Sequence, residues 1–302
     1  MPNWVSVLEE INKCQPSPNR ELEAVDIVRR RYLLKLHEKT KRNIIAYYSG
    51  WLQVGNAVGT DLNDMDINGF MTTIHGLDCT QGLDLILHTP GGSISATEQI
   101  VYYLKSKFGN DVRAVIPQIA MSAGTMISCS CKQILMGRQS CLGPFDPQIY
   151  GVSAMRVQEE FNKAVEEAKK EPASIPYWQV IIGKYHPTFL NSCKLACDRA
   201  KHLVTQWLST NMFNDKRESL KISRNIVNNF NKIGHKLDHD RHVSISECEN
   251  FGLKILRLED DQELQDLVLT VHHTFMHTFS NVPLVKAIEN HKGVGMFLSK
   301  RS

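Results

Sequence analysis

Asp84-Leu85-Ile86-Leu87-His88-Thr89-Pro90-Gly91-Gly92 and, downstream of it, Ala120-Met121-Ser122-Ala123-Gly124-Thr125 bracket one α/β unit, and their reading decides the fold. The first begins as an apolar run without alternation, the pattern of a strand covered on both faces. Pro-Gly-Gly ends it, since proline removes a donor and the glycines favour a turn. Ser93 then suits the N-cap of a helix over Ile94–Phe108, with Glu98 placed to reinforce its first turn. Gly109-Asn110 stops that helix. Residues 111–120 read as the next strand, 122–131 as a short buried helix, and Gln133–Met136 as a further strand.

Working outward, the β-rich run 43–48 reads as the first strand, closed by Ser49-Gly50. Residues 61–76 hold a short helix with Asp66, Ile67, Phe70, Met71 and Ile74 at helical spacing. Upstream, 4–15 and 20–42 are predicted helices separated by Gln15-Pro16-Ser17-Pro18-Asn19, with Asn19 as N-cap. Arg29, Arg30, Arg31, Lys35, Lys39, Lys41 and Arg42 on the second of these read as a solvated face. Long helices dominate the rest, at 156–170, 188–210 and 260–279. Between the last two, Glu247-Cys248-Glu249-Asn250-Phe251-Gly252-Leu253 is a helical turn capped by Gly252, leading into a short strand over 253–258. Strands alternating with helices indicate parallel α/β units with right-handed crossovers. The expected division is an N-terminal helical extension over 1–42 and one α/β domain over 43–302, itself carrying C-terminal helical additions.

The chain has 302 residues, 42% of them hydrophobic and 22% charged, a composition with enough apolar content for a sizeable core. A net charge of +3 excludes the strongly basic footprint of a nucleic-acid binder. Eight cysteines without a paired framework indicate reduced thiols. No segment approaches the length of a membrane span, and Met1-Pro2-Asn3-Trp4-Val5 does not begin a secretory signal, so a cytoplasmic location is expected.

Ser122 sits among small residues at a strand-to-helix turn. A serine becomes a nucleophile only when a base takes its proton, and acyl transfer needs N–H donors aimed at the developing oxyanion. The Ala123 N–H at a helix start and an N–H of Gly91 or Gly92 suit that task, although a small-residue packing turn would look the same. Together with Leu142-Gly143-Pro144-Phe145-Asp146-Pro147-Gln148, these motifs resemble the serine dehydrogenase proteinase family, a distant relative of Clp-type proteolytic subunits and signal-peptide peptidases. Weaker similarity continues through His239-Asp240-Arg241-His242-Val243-Ser244-Ile245 and Lys286-Ala287-Ile288-Glu289-Asn290-His291.

The resemblance implies a Clp/crotonase-like fold of stacked ββα units and a cofactor-free serine hydrolase acting on peptide bonds. It implies Ser122 as nucleophile and Gly91 or Gly92 with Ala123 as oxyanion donors. Asp146, 24 residues after Ser122, falls close to where Clp-type proteases place their histidine, and here stands as the supporting carboxylate. His239 matches the family's downstream histidine, with His242 and His88 as alternative bases. A homo-oligomer acting on peptides or unfolded proteins is expected. The signal-peptide peptidase branch uses a lysine base, but Arg156 stays protonated and Lys163 sits among glutamates at helix spacings.

Other constellations compete less well. His273 and His277 share a helical face, yet packing explains them better than a metal. Cys193 and Cys197, with His186 or His202, lack the CxxC spacing of a zinc site. Crotonase-type acyl-CoA chemistry would call on Glu98, and a silent binding protein of the same fold is the third alternative.

Overall fold

The runs Asn43–Ser49 (β1) and Leu83–His88 (β2) are buried at every residue, as strands are when helices cover both faces of their sheet. The computed structural model describes residues 3–18, 22–55, 57–236 and 241–300. Five further strands join the first two: Val112–Ile116 (β3), Gln133–Met136 (β4), Ile255–Arg257 (β5), Leu284–Asn290 (β6) and Gly295–Ser299 (β7). The spatial order is β5-β4-β3-β2-β1-β6-β7. The five from β5 to β1 run parallel, and β6 and β7 are added antiparallel.

Alternation along the strands sorts side chains into two apolar layers. Leu85 and Leu87 join the layer packed under the helices Ile94–Phe108, Ala123–Ser130, Phe189–Trp207 and Ser219–Lys236. Ile86 and Tyr48 join the opposite layer, under Ala24–Thr40 and Gln262–Asn281. The helix Ile94–Phe108 has the expected ends: the Ser93 hydroxyl accepts from the Ala96 N–H, and the Gly109 N–H returns to the Lys105 carbonyl. The predicted strand over 111–120 is broken. Pro117 lacks an N–H for the ladder, so Ile119–Ala120 leaves the large sheet and pairs with Cys141–Leu142, which pairs in turn with Val243–Ser244.

The basic run over 29–42 is a solvated face only in part: Arg31, Lys35 and Lys41 are exposed as expected, whereas Arg29, Arg30 and Arg42 turn inward. Arg29 is fully buried, donating from Nε to Glu289 on β6 at 2.7 Å and from Nη1 to Thr278 at 3.0 Å. Arg30 reaches the other Glu289 oxygen at 2.7 Å. Arg42, just past the helix, donates to Asp84 at 2.7 Å and Asp111 at 3.0 Å. The charges tether this helix to the sheet from within, while Leu33 and Leu36 enter the core beside them. Asn19, expected as its cap, lies outside the described residues; the helix starts at Ala24 with Glu23 and Asp26 forming a reciprocal box. Elements absent from the sequence reading include the helices Ile175–Ile182 and Ser219–Lys236 and the strands β6 and β7.

Candidate active site

The site forms at the carboxyl ends of β2 and β3, where parallel α/β sheets open crevices. After β2 the chain turns through Pro90-Gly91-Gly92; after β3 and the Pro117 break it turns through Met121-Ser122-Ala123. Backbone bonds zip the two turns together: the Thr89 N–H donates to Ile119 at 3.1 Å, and the Met121 N–H to Thr89 at 3.0 Å. Gly91 is required by proximity, since a Cβ there would lie 2.6 Å from the Ser122 Cβ. Thr125 ties the serine helix to the third motif: its hydroxyl accepts from the Gly143 N–H at 3.0 Å and lies 2.9 Å from the Gly143 carbonyl.

Ser122 has φ 48° and ψ −110°, a backbone conformation that costs a non-glycine residue on the order of 1–2 kcal/mol. It precedes the helix Ala123–Ser130 without capping it, so the hydroxyl is left to the cleft. That cleft encloses about 330 Å³ and is walled by Pro90, Ile94, Met126, Phe145, Pro147 and Ile149, with Gly92 and Ser122 in its lining. The Gly91 N–H is engaged by Thr89 Oγ1 at 3.1 Å. Among the described residues, the N–H groups of Gly92 and Ala123 donate to no backbone or side-chain acceptor.

Asp146 is nearly buried and accepts from Gln148 Nε2 at 3.0 Å; its chain neighbours Phe145 and Pro147 line the Ser122 cleft. His239 lies outside the described residues. His242 is described and exposed, one residue before Val243, which pairs with Leu142 at the head of the Asp146 segment. The chain over 243–244 therefore lies beside the strand that leads to Asp146. Lys163 is exposed and pairs with Glu167 at 3.7 Å, the solvated i,i+4 arrangement expected of it. Glu98 does not support the helix start; Arg199 binds its carboxylate and also donates to Ser95 Oγ at 3.1 Å, at the cleft rim.

His88 belongs to the other face of the sheet. Its ring packs against Trp51 at 4.4 Å, His272 at 5.1 Å and Tyr48 at 5.4 Å, and its nitrogens make no hydrogen bond of ordinary geometry among the described residues. Burial, and then the neighbouring His272, hold it well below the usual imidazole range. Burial likewise pushes His272 down to about 3 and His291 down to about 4. These rings stay neutral in the folded chain while the unfolded chain protonates them near 6.5. Stability is therefore fully present above that pH and is lost as pH falls, by roughly 2 kcal/mol per such histidine between pH 6.5 and 5. Urea unfolding at pH 7.5 and 5.0 checks this: the midpoint should drop on acidification, with a shallower dependence in His272→Leu. A midpoint that held or rose would overturn it.

The other histidine and cysteine pairs are packing. His277 Nε2 lies 3.1 Å from the Trp4 carbonyl and its ring packs against Trp4 at a tilt, with centroids 3.9 Å apart. Cys193 and Cys197 are buried against Met155 and Val157. Among the described residues, no group of three His, Cys, Asp or Glu is placed to hold a metal, and no helix is long and apolar enough to cross a membrane.

Residues the sequence reading missed at the site are Thr89 and Thr125, which lock the turns, and Leu62, whose backbone lies against Gly92. The threonines sit inside the motifs and were open to notice; nothing local in the sequence marks Leu62.

The family model described as a ClpP-like SDH-type serine proteinase matches residues 16–286 of this chain. The chain belongs to this family. A ClpP-like α/β fold accounts for the parallel sheet and its glycine elbow. Among relatives of this chain is the uncharacterised protein MJ0137 of Methanocaldococcus jannaschii, 24% identical over 242 residues, which cover 79% of this chain and 77% of that protein. A second from the same organism, MJ1495, is also uncharacterised and is 37% identical over 89 residues, 30% of each chain. Among solved structures, a mutant of the 1510-N membrane-bound stomatin-specific protease aligns with a TM-score of 0.38 at 15% identity, over 68% of this chain and 79% of that one.

Proposed function

We propose that the protein is a serine peptidase that cleaves peptide bonds through an acyl-enzyme, with Ser122 as nucleophile. The observation that carries this is Ser122 itself, held at φ 48° in a cleft beside the uncommitted N–H groups of Gly92 and Ala123. Because the Gly91 N–H serves Thr89, Gly92 and Ala123 are the better oxyanion pair. Ser122 Oγ attacks the scissile carbonyl while a histidine takes its proton; the carbonyl oxygen becomes an oxyanion and accepts from the two amides. Collapse breaks the C–N bond as the imidazolium gives its proton to the departing amine. Water, deprotonated by the same base, then releases the acid and Ser122.

His239 is the proposed base and Asp146 the carboxylate that orients it. His242 is three residues from His239, about 10 Å of extended chain, and stands beside the strand leading to Asp146. Single His239→Ala and His242→Ala variants separate them: loss of the acidic limb of the kcat/KM profile in one alone identifies the base.

The test of the whole reading is fluorophosphonate labelling of folded protein. Labelling of the native chain that disappears in Ser122→Ala is expected. Folded native protein that takes up no label, or labels equally in the variant, sinks the proposal in favour of a silent member of the fold. The cleft walls also commit the substrate: Ile94, Met126, Phe145 and Ile149 suit an apolar side chain beside the scissile bond. Peptides with Leu or Phe there should be cut at least about 10-fold faster in kcat/KM than those with Asp or Lys, whose charge would be buried unpaired. A homo-oligomer belongs to the same proposal, supported by exposed Tyr150, Tyr177, Val180 and Leu195. Sedimentation at micromolar concentration tests it; a monomer would remove that part.

A further inference from the structure

We propose that Lys286, on β6, is a positioning residue for the oxyanion hole. This rests on the reading of Gly92 as an oxyanion donor. The Gly92 N–H belongs to the same peptide unit as the Gly91 carbonyl, and that unit is trans. In a planar trans peptide the N–H and C=O point in opposite directions, so whatever holds the Gly91 carbonyl aims the Gly92 N–H. The holder is Leu62: its N–H donates to the Gly91 carbonyl at 2.7 Å, and its own carbonyl accepts from the Ser93 N–H at 2.8 Å. Gly91 has φ 104° and Gly92 φ 154°. Two adjacent glycines leave this peptide free to rotate unless something outside the elbow restrains it. The fit is close, since a Cβ on Gly92 would lie 2.2 Å from the Leu62 carbonyl oxygen.

Leu62 is in turn fixed on both sides by one buried ion pair. Lys286 Nζ donates to the Asp61 carbonyl at 2.7 Å and to the Asp66 carboxylate at 2.7 and 2.9 Å. Asp66 accepts from the Asn63 N–H at 3.0 Å and from the Tyr47 hydroxyl at 2.8 Å. Lys286 and Asp66 are both fully buried. The ammonium thus grips the residue before Leu62, and its carboxylate partner grips the residue after. A buried ion pair is weak evidence for stability, and apolar residues of similar volume often replace one without loss. Here its donors and acceptors go to backbone atoms flanking the clamp, which is a positional task that an apolar pair cannot do.

The experiment uses the full chain. Lys286→Met is compared with the double variant Lys286→Met/Asp66→Leu, which leaves no buried charge unpaired and is therefore expected to fold better than the single variant. Peptide hydrolysis and the affinity for a peptide boronate are measured, with circular dichroism and melting as controls. In the folded double variant, kcat should fall about 10- to 100-fold with KM within about threefold, and boronate affinity should fall in parallel. A role in stability alone would leave kcat and boronate affinity unchanged in molecules that remain folded, and that result overturns the inference. If the native protein itself shows no Ser122-dependent turnover, the peptidase reading fails and takes this inference with it. Unchanged kcat in the double variant beside an active native protein sinks the inference alone.

Discussion

Ser122→Ala should lower kcat/KM for peptide hydrolysis by about 10⁴- to 10⁶-fold, the range for loss of a serine nucleophile whose oxyanion hole survives. The residual rate should still depend on Gly92 and Ala123, since their N–H groups are held by Leu62 contacts and the helix start rather than by the hydroxyl. A companion variant sharpens the claim. Ser122 has φ 48°, so Ser122→Gly relieves backbone strain that Ser122→Ala retains. The glycine variant should be as inactive as the alanine variant yet more stable than it, by about 1 kcal/mol in urea unfolding, because the wrong-handed conformation outweighs the extra chain entropy of glycine. Activity retained in either variant would remove Ser122 from the chemistry. A glycine variant less stable than the alanine one would show that the turn is not strained.

Glu289→Ala should destabilise the fold by about 3–5 kcal/mol, the cost of leaving a buried charge without its partner. Arg29 is fully buried and Glu289 on β6 is its fully buried carboxylate partner at 2.7 Å, with the half-buried Asp26 also at 2.7 Å, while Arg30 holds the second Glu289 oxygen. Truncating the carboxylate leaves buried Arg29 with only Asp26 and Thr278, lets the half-buried Arg30 turn to solvent, and opens a cavity under Ala24–Thr40. Replacing the pair, Arg29→Met with Glu289→Leu, should recover most of the loss. Equilibrium denaturation checks both; a single-variant change below about 1 kcal/mol would show that water reaches Arg29.

Local chemistry made much of the fold legible. Ser93 and Gly109 mark both ends of the helix Ile94–Phe108, and the unbroken apolar run ending at His88 marks a strand covered on both sides. Ser122 and Gly92 line one cleft because their motifs are turns at neighbouring strand ends. What resisted reading is charge placed inside. Lys286, Glu289 and Asn290 on β6 are all buried, so the strand shows none of the polar-out alternation that betrays a strand. Arg29 and Arg30 look solvated for the same reason: their shared partner Glu289 lies some 260 residues away in sequence. Ser219–Lys236 carries Ile222, Ile226 and Phe230 at helical spacing, a signal masked by its asparagines and by the lack of a strong start. The Leu62 clamp is wholly tertiary, and no pattern within residues 60–66 announces it.

Strand β6 holds Arg29 through Glu289 and the elbow loop through Lys286, and it comes after every other strand of the sheet except its neighbour β7. A ribosome delivers β1 to β4 and Ser122 long before it delivers residue 286. Until then Asp66 has no ammonium to grip and the Gly91–Gly92 peptide is free to turn. On the proposed reading, the serine is thus made early and its oxyanion hole set late, so that a nascent chain emerging among other unfolded chains would carry Ser122 before it could hydrolyse a peptide.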